Sequence, residues 1–161
     1  RALGERAFRQ QVQASELKMQ SQLDRVRWNL VTDVEERLRE RLQAHMADED
    51  AYTRTLERYL AQAAAAIEAD DLIVEVNAHD HQLLAPQWEI IANRAATGKR
   101  LRLAEKPIAC LGGARVASAD NRIRVDNTFE GRLERLRARI QQVILERLLP
   151  GGLDTGNLFG G

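Results

Sequence analysis

Apolar residues recur along the first forty-odd positions at Phe8, Val12, Met19, Leu23, Val26, Leu30, Val34, Leu38 and Leu42, mostly four residues apart, with polar and charged residues between them. This spacing predicts an amphipathic helix from Arg1 to about Met46, a stretch with no proline and a single glycine, Gly4. The stripe is narrow for a helix that folds onto its own domain and suits a helix laid along one partner helix. Its period also carries a handedness. Phe8, Met19 and Leu30 are eleven apart, as are Val12, Leu23 and Val34, and an eleven-residue repeat implies a right-handed supercoil. A single amphipathic helix folded back on its own domain is the competing reading of the same stripe.

The pattern changes after Met46. Asp48-Glu49-Asp50 places acidic residues at a helix start, where the dipole favours them. Tyr52, Leu56, Tyr59, Leu60, Ala63 and Ile67 then give a helix from about Glu49 to Glu68 one apolar face. Leu72-Ile73-Val74-Glu75-Val76-Asn77 predicts a largely buried strand. From His79 to Ala96 a helical pattern runs through Leu83, Leu84, Trp88, Ile91 and Ala95, with Asp80 as its expected N-cap and Gly98 as its stop. Leu101-Arg102-Leu103 alternates as a second strand, so the segment predicts a βαβ unit with a right-handed crossover. Gly112-Gly113 opens a strand over Ala114–Ser118, and Asp120-Asn121 turns a tight hairpin into Ile123-Arg124-Val125. In the last helix Asn127 and Glu130 form the expected capping box. Phe129, Leu133, Leu136, Ile140, Val143, Ile144 and Leu148 make a continuous apolar face, of which Phe129, Leu133, Leu136, Ile140 and Ile144 are expected to lie on the sheet, and Pro150-Gly151-Gly152 is expected to stop the helix. The fold class is therefore α+β: a long N-terminal coiled-coil helix over 1–46, a small mixed β-sheet domain covered by helices over 47–150, and a flexible tail over 151–161.

Composition narrows the function. Lys plus Arg and Asp plus Glu number 24 each, so a chain-wide attraction for nucleic acid or anionic lipid is not expected. Charged residues make up 30% of the chain and aromatics 4%, a balance that favours long solvated helices over an aromatic-rich core. Cys110 is the sole cysteine, which rules out an intrachain disulfide. No apolar run approaches the ~18 residues of a membrane span, so a cytoplasmic chain without direct membrane insertion is expected. The start at Arg1 suggests a fragment of a longer opening helix. His79-Asp80-His81 lacks a third ligand nearby, and Leu111 to Arg115 lacks the spacing of a phosphate loop, so no catalytic, cofactor or metal residue is assigned. Arg132, Arg135 and Arg139 share one helix face by their three- and four-residue spacing. Such a face is either solvated or a docking surface for an acidic partner.

Gly112-Gly113-Ala114-Arg115-Val116, followed by Asp120-Asn121-Arg122-Ile123-Arg124-Val125-Asp126-Asn127-Thr128-Phe129-Glu130-Gly131-Arg132-Leu133, resembles the signature of the E subunit of the peripheral stalk of V-type and A-type rotary ATPases. More weakly, the resemblance extends over the whole chain. Asn121 stands where many members carry Gly, and Gly131 replaces a commoner helix former. The resemblance implies a non-catalytic stator that links the catalytic head to the membrane sector and lies at the cytoplasmic side as part of the complex. It implies two partners: a second stalk subunit of the G/H type, reached through the N-terminal helix, and the A/B subunits of the catalytic head, reached through the C-terminal domain. The partner-helix interface would be Phe8, Val12, Met19, Leu23, Leu30 and Val34, and the head-binding surface Arg132, Arg135, Arg139, Asp120 and Asn121. The alternative is a stator-like regulator of a flagellar or type III secretion ATPase.

Overall fold

The computed structural model describes residues 1–148, so the expected tail over 151–161 lies outside the described residues. Helix α1 spans Ala2–Ala47 and α2 spans Glu49–Ala66. Strand β1 (Asp71–Glu75) leads into α3 (Ala78–Leu84), a 3-10 turn (Ala85–Gln87) and α4 (Trp88–Ala95). Strands β2 (Arg100–Leu103), β3 (Gly113–Ser118) and β4 (Arg124–Thr128) follow, and α5 (Phe129–Leu148) closes the described chain. The sheet order is β2-β1-β3-β4, with β1 parallel to β2 and the other two pairs antiparallel. A long first helix followed by a small mixed sheet with helices is the expected α+β fold.

By internal packing the chain forms two units, Leu38–Leu136 and Arg1–Arg37 together with the stretch from Arg137 onward. Both α1 and α5 contribute residues to each. In the larger unit, the apolar face expected for α2 is the heart of the core: Tyr52, Leu56, Tyr59, Leu60 and Ala63 are buried with Leu72, Val74, Leu101, Ala114 and Val116 of the sheet, Ile91 of α4 and Phe129 of α5. Strand alternation sends Leu72 and Val74 of β1 to this face, and their partners Ser118 and Val116 of β3 with them. In the smaller unit, Arg137 donates to Glu35 at 2.9 Å, and a groove is lined by Trp28 and Val31 of α1 with Ile144 and Leu145 of α5.

Four local expectations change. The helix expected over His79–Ala96 is two helices, because Pro86 has no N–H to donate and its ring crowds the preceding turn. Asn77, not Asp80, caps α3: its side chain accepts the Asp80 N–H at 2.7 Å, and the Asp80 carboxylate is buried instead. The expected capping box of Asn127 and Glu130 is also displaced. β4 runs on from Val125 through Thr128, so Asn127 pairs with Ala114 in the ladder while Thr128 Oγ1 accepts the Gly131 N–H at 3.1 Å. Glu130 reaches sideways to accept the Leu111 N–H at 2.7 Å. Finally, α5 does not spend its whole apolar face on the sheet. Phe129 and Leu133 are buried, whereas Leu136 and Val143 are exposed.

Both departures from the family pattern have local causes. Asn121 sits at φ 58° in the hairpin turn, a left-handed conformation that Asn tolerates next best after Gly. At Gly131 a Cβ would come within 2.5 Å of the Asp126 carboxyl carbon, so the first turn of α5 has no room for a side chain there.

Candidate functional site

The stripe on α1 is built by helix geometry alone. At 100° per residue, Phe8, Met19, Leu30, Val12, Leu23 and Val34 stay within about 80° of arc over roughly 40 Å of helix. Phe8 and Met19 are 68% and 64% exposed, Val12 and Leu23 are exposed, and Leu30 and Val34 are half-buried. Val31 is the single buried residue of α1. The structure thus places all six residues on one face, with the four N-terminal ones in solvent. Sequence reasoning missed a second exposed set, Leu3, Leu17 and Trp28, lying on roughly the opposite side of the helix. Its signal was present, since Leu17 and Trp28 are also eleven residues apart.

The proposed head-binding residues divide among different settings. Arg132 is half-buried, its guanidinium carbon 4.3 Å from the centre of the Tyr59 ring, a cation–π contact over the edge of the core. Arg135 donates to the backbone carbonyl of Asp126 and, at 3.0 Å, to Asn127 Oδ1. Asn127 uses its amide nitrogen on the Tyr59 carbonyl at 3.1 Å, so Arg135, Asn127 and α2 form one hydrogen-bonded chain. Both arginines therefore hold the start of α5 in place. Arg139 is exposed and belongs to the smaller unit. Asp120 and Asn121 sit at the tip of the β3–β4 hairpin, at the opposite end of β4 from the residues that Arg135 binds. Asp120 accepts from Ser118 Oγ at 2.6 Å and from the Arg122 N–H, which holds its carboxyl below the usual range.

A buried polar node lies where α2, α3 and β3 meet. The Tyr52 hydroxyl donates to Asp80 Oδ2 at 2.5 Å and accepts the Gly113 N–H at 2.9 Å. Burial raises the Asp80 carboxyl above its ordinary range, against the opposing pull of the Tyr52 and His79 hydrogen bonds. Burial also raises the Tyr52 phenol, with the Asp80 hydrogen bond and charge adding to the shift. Gly112 and Gly113 make room for this node. A Cβ on Gly112 would meet Phe129 and the Tyr52 hydroxyl, and Gly113, at φ 81°, would drive one into the Asn127 carbonyl. These glycines relieve crowding where the chain enters the hairpin. Next to them the Cys110 thiol is pushed up to about 11, chiefly by burial, and so stays protonated at neutral pH. His79 is exposed and only skirts Asp80, at 3.3 Å.

The chain thus presents an apolar stripe exposed from Phe8 to Leu23, and the buried polar groups of the larger unit, Leu38–Leu136, are spent on holding it together. The sequence profile of the ATP synthase (E/31 kDa) subunit family matches residues 4–149. The V-type ATP synthase E subunit of Nitrosococcus oceani is 48% identical over 155 residues, covering 95% of this chain and 73% of that protein. The A-type ATP synthase E subunit of Thermococcus kodakarensis is 30% identical over 141 residues, covering 85% of this chain and 68% of that protein. No helix among the described residues is long and apolar enough to cross a membrane. The profile and the relatives agree, and they leave the flagellar or type III secretion alternative without support: the chain belongs to the E-subunit family of V-type and A-type ATP synthases.

Proposed function

We propose that this chain is a non-catalytic peripheral-stalk subunit, a stator that holds the catalytic head against the torque of the rotor. A rotary motor needs a strut between head and membrane sector, and a helix of 46 residues, about 70 Å long, has the dimensions of one. The observation that carries the reading is the exposed stripe of Phe8, Val12, Met19 and Leu23. Covering such a stripe at ~25 cal/mol per Å² is worth several kcal/mol, and its eleven-residue period fits a right-handed pairing with one partner helix. That partner is a second stalk subunit of the G/H type. The compact domain docks on the A/B subunits of the head, with Asp120 and Asn121 at the hairpin tip as exposed candidates for contact and Arg132 and Arg135 at the rim, and Arg139 is a further exposed candidate on the smaller unit.

The test is co-expression with the second stalk subunit. The parent chain should co-purify with it as a stable pair, and Leu23→Asp should abolish the pair while leaving the far-ultraviolet circular dichroism of the compact domain in place. Equal pairing by Leu23→Asp would remove the stripe from the interface. The isolated chain should hydrolyse no ATP, and turnover in a highly purified sample would refute the non-catalytic assignment.

A further inference from the structure

The helices of the compact domain share one face of the sheet; on its other face Ile73 is half-buried and Ala117 is buried at 6% exposure, both outside the cluster that the helices cover. Ile73 of β1 and Ala117 of β3, which pair directly, point away from the cluster that contains their neighbours Leu72, Val74 and Val116. Register extends this pair into a row across all four strands: Arg102 of β2 opposite Ile73, Ile73 opposite Ala117, Ala117 opposite Arg124 of β4. At about 4.8 Å per strand, the two arginines flank the apolar pair with their backbones roughly 14 Å apart.

The charges on this face do not cancel. Arg100 is held by Asp71 at 2.6 and 2.9 Å, and Arg115 by Glu75 at 2.5 Å. Asp126 accepts from the N–H and hydroxyl of Thr128. Beside the row, Arg122 lies 3.6 Å from Asp120. Arg102 has no hydrogen bond or ion pair among the described residues, and Arg124 donates only to the neutral Asn121 side chain at 3.0 Å. Arg102 and Arg124 are two exposed guanidinium groups with no carboxylate of their own among the described residues, one on each side of the apolar pair, and Asp126 is the one carboxylate of the face with no cation bound to it, so one positive charge is in excess. On each edge strand, by contrast, one outward carbonyl has a partner. The outward carbonyl of Leu101 on β2 accepts from Trp88 Nε1 at 2.9 Å, and that of Asp126 on β4 from Arg135.

We propose that the open face of the sheet, centred on Ile73 and Ala117 and bounded by Arg102 and Arg124, is a docking surface for an acidic protein surface. A complementary partner presents carboxylates on both sides of a small apolar patch. A second copy of this chain fits poorly, because two of the three carboxylates on this face, Asp71 and Glu75, are already held by Arg100 and Arg115. Single-stranded nucleic acid fits poorly, since no aromatic residue stands on this face for a base to stack on. The inference rests on the reading that the compact domain holds the catalytic head, and it assigns the acidic surface to that head. The hairpin tip at Asp120 and Asn121 borders the same face, beside Arg124.

The experiment measures binding of the full chain, paired with its second stalk subunit, to a head subassembly stripped of its stalks. Compared are the parent, the double variant Arg102→Glu with Arg124→Glu, the milder Arg102→Gln with Arg124→Gln, and Arg58→Gln as a control on the helical side. All three positions are solvent-exposed, and thermal unfolding checks that each variant folds. The expected result is at least tenfold weaker binding by the Glu double variant, an intermediate loss with Gln, a shallower salt dependence in both, and no change in the control. Parent-like affinity and salt slope in the Glu variant would overturn the assignment of this face while leaving the head-holding reading intact. Failure of the parent itself to bind the head would defeat that reading instead. In that event, arginine-directed modification of the native assembly decides the face separately: Arg102 and Arg124 remaining as reactive as in the free chain would sink it, and their protection would uphold it. A single-stranded oligonucleotide bound more tightly than the head, and lost in the Glu variant, would reassign the face to nucleic acid.

Discussion

Helices α1 and α2 are separated by Asp48 alone and are supported in opposite ways. α2 buries Tyr52, Thr55, Leu56, Tyr59, Leu60, Ala63 and Ala64 in its eighteen residues, whereas α1 buries Val31 in forty-six. The stability of α2 is the stability of the core. α1 relies on its own helix-forming residues over most of its length, with the stripe from Phe8 to Leu23 unspent in the chain alone. The difference teaches which apolar residues serve folding and which serve assembly. Its largest consequence is at Leu60, fully buried against the sheet, where Leu60→Ala should cost about 2–5 kcal/mol from lost burial and the cavity left behind. Denaturant unfolding followed at the tyrosines measures it. A midpoint unchanged from the parent would mean that α2 is no better anchored than α1.

The polar node gives a smaller effect of the same sign. Tyr52→Phe keeps the ring against Phe129 but strands Asp80 Oδ2 and the Gly113 N–H, both buried, at a cost of about 1–3 kcal/mol. Asp80 also ties this node to pH. Its carboxyl is raised in the folded chain, so the folded state keeps the proton to higher pH than the unfolded state does. Below the unfolded pKa both states are protonated and burial of the group costs nothing electrostatic. As pH rises from there through the raised folded value, the unfolded state ionises first and stability falls. Asp80→Asn keeps an acceptor for the Tyr52 hydroxyl and removes the charge. Its melting temperature relative to the parent should therefore climb as pH rises from about 3 to 7, and a constant difference across that range would show that Asp80 is not a buried titrating group.

The helices and strands of the compact domain were legible because each has its own periodicity. Period 3.6 runs through Tyr52, Leu56, Tyr59, Leu60 and Ala63, and period 2 through Leu72, Val74 and Val76, all of them buried. The βαβ unit followed from spacing, and the parallel pairing of β1 with β2 agrees with it. Boundaries were less legible where side chains compete for the same donors. Asn77 and Asp80 can each cap a helix, and only the path of β1 into α3 decides that Asn77 does so while Asp80 turns inward to Tyr52, twenty-eight residues away. The same holds at Asn127, whose place in the ladder hands the cap to Thr128. Arg132 and Arg135 looked like one outward face by spacing. Tyr59, distant in sequence, and the end of β4, just before the helix, bring the two arginines down onto the domain. The open sheet face had no sequence signal of its own, because Arg102, Ile73, Ala117 and Arg124 come together only through strand register.

The smallest expected effect lies on the stripe and bears most directly on the contrast between the helices. Leu23 is 44% exposed, and alanine is at least as good a helix former as leucine, so Leu23→Ala should change the stability of the isolated chain by no more than about 0.5 kcal/mol. The same deletion at Leu60 removes as many carbons, so the two variants differ in environment and not in chemistry. That near-silence has to be measured at several protein concentrations, because a stripe left uncovered drives chains to pair with one another, and pairing would add a concentration-dependent term to the melting temperature. In dilute solution the Leu23→Ala and parent curves should coincide. With the second stalk subunit present they should separate, the variant melting lower as the covered side chain is lost. A cost above about 1 kcal/mol in the dilute isolated chain would show that Leu23 is already covered by the chain itself, and the stripe would then belong to folding and not to assembly.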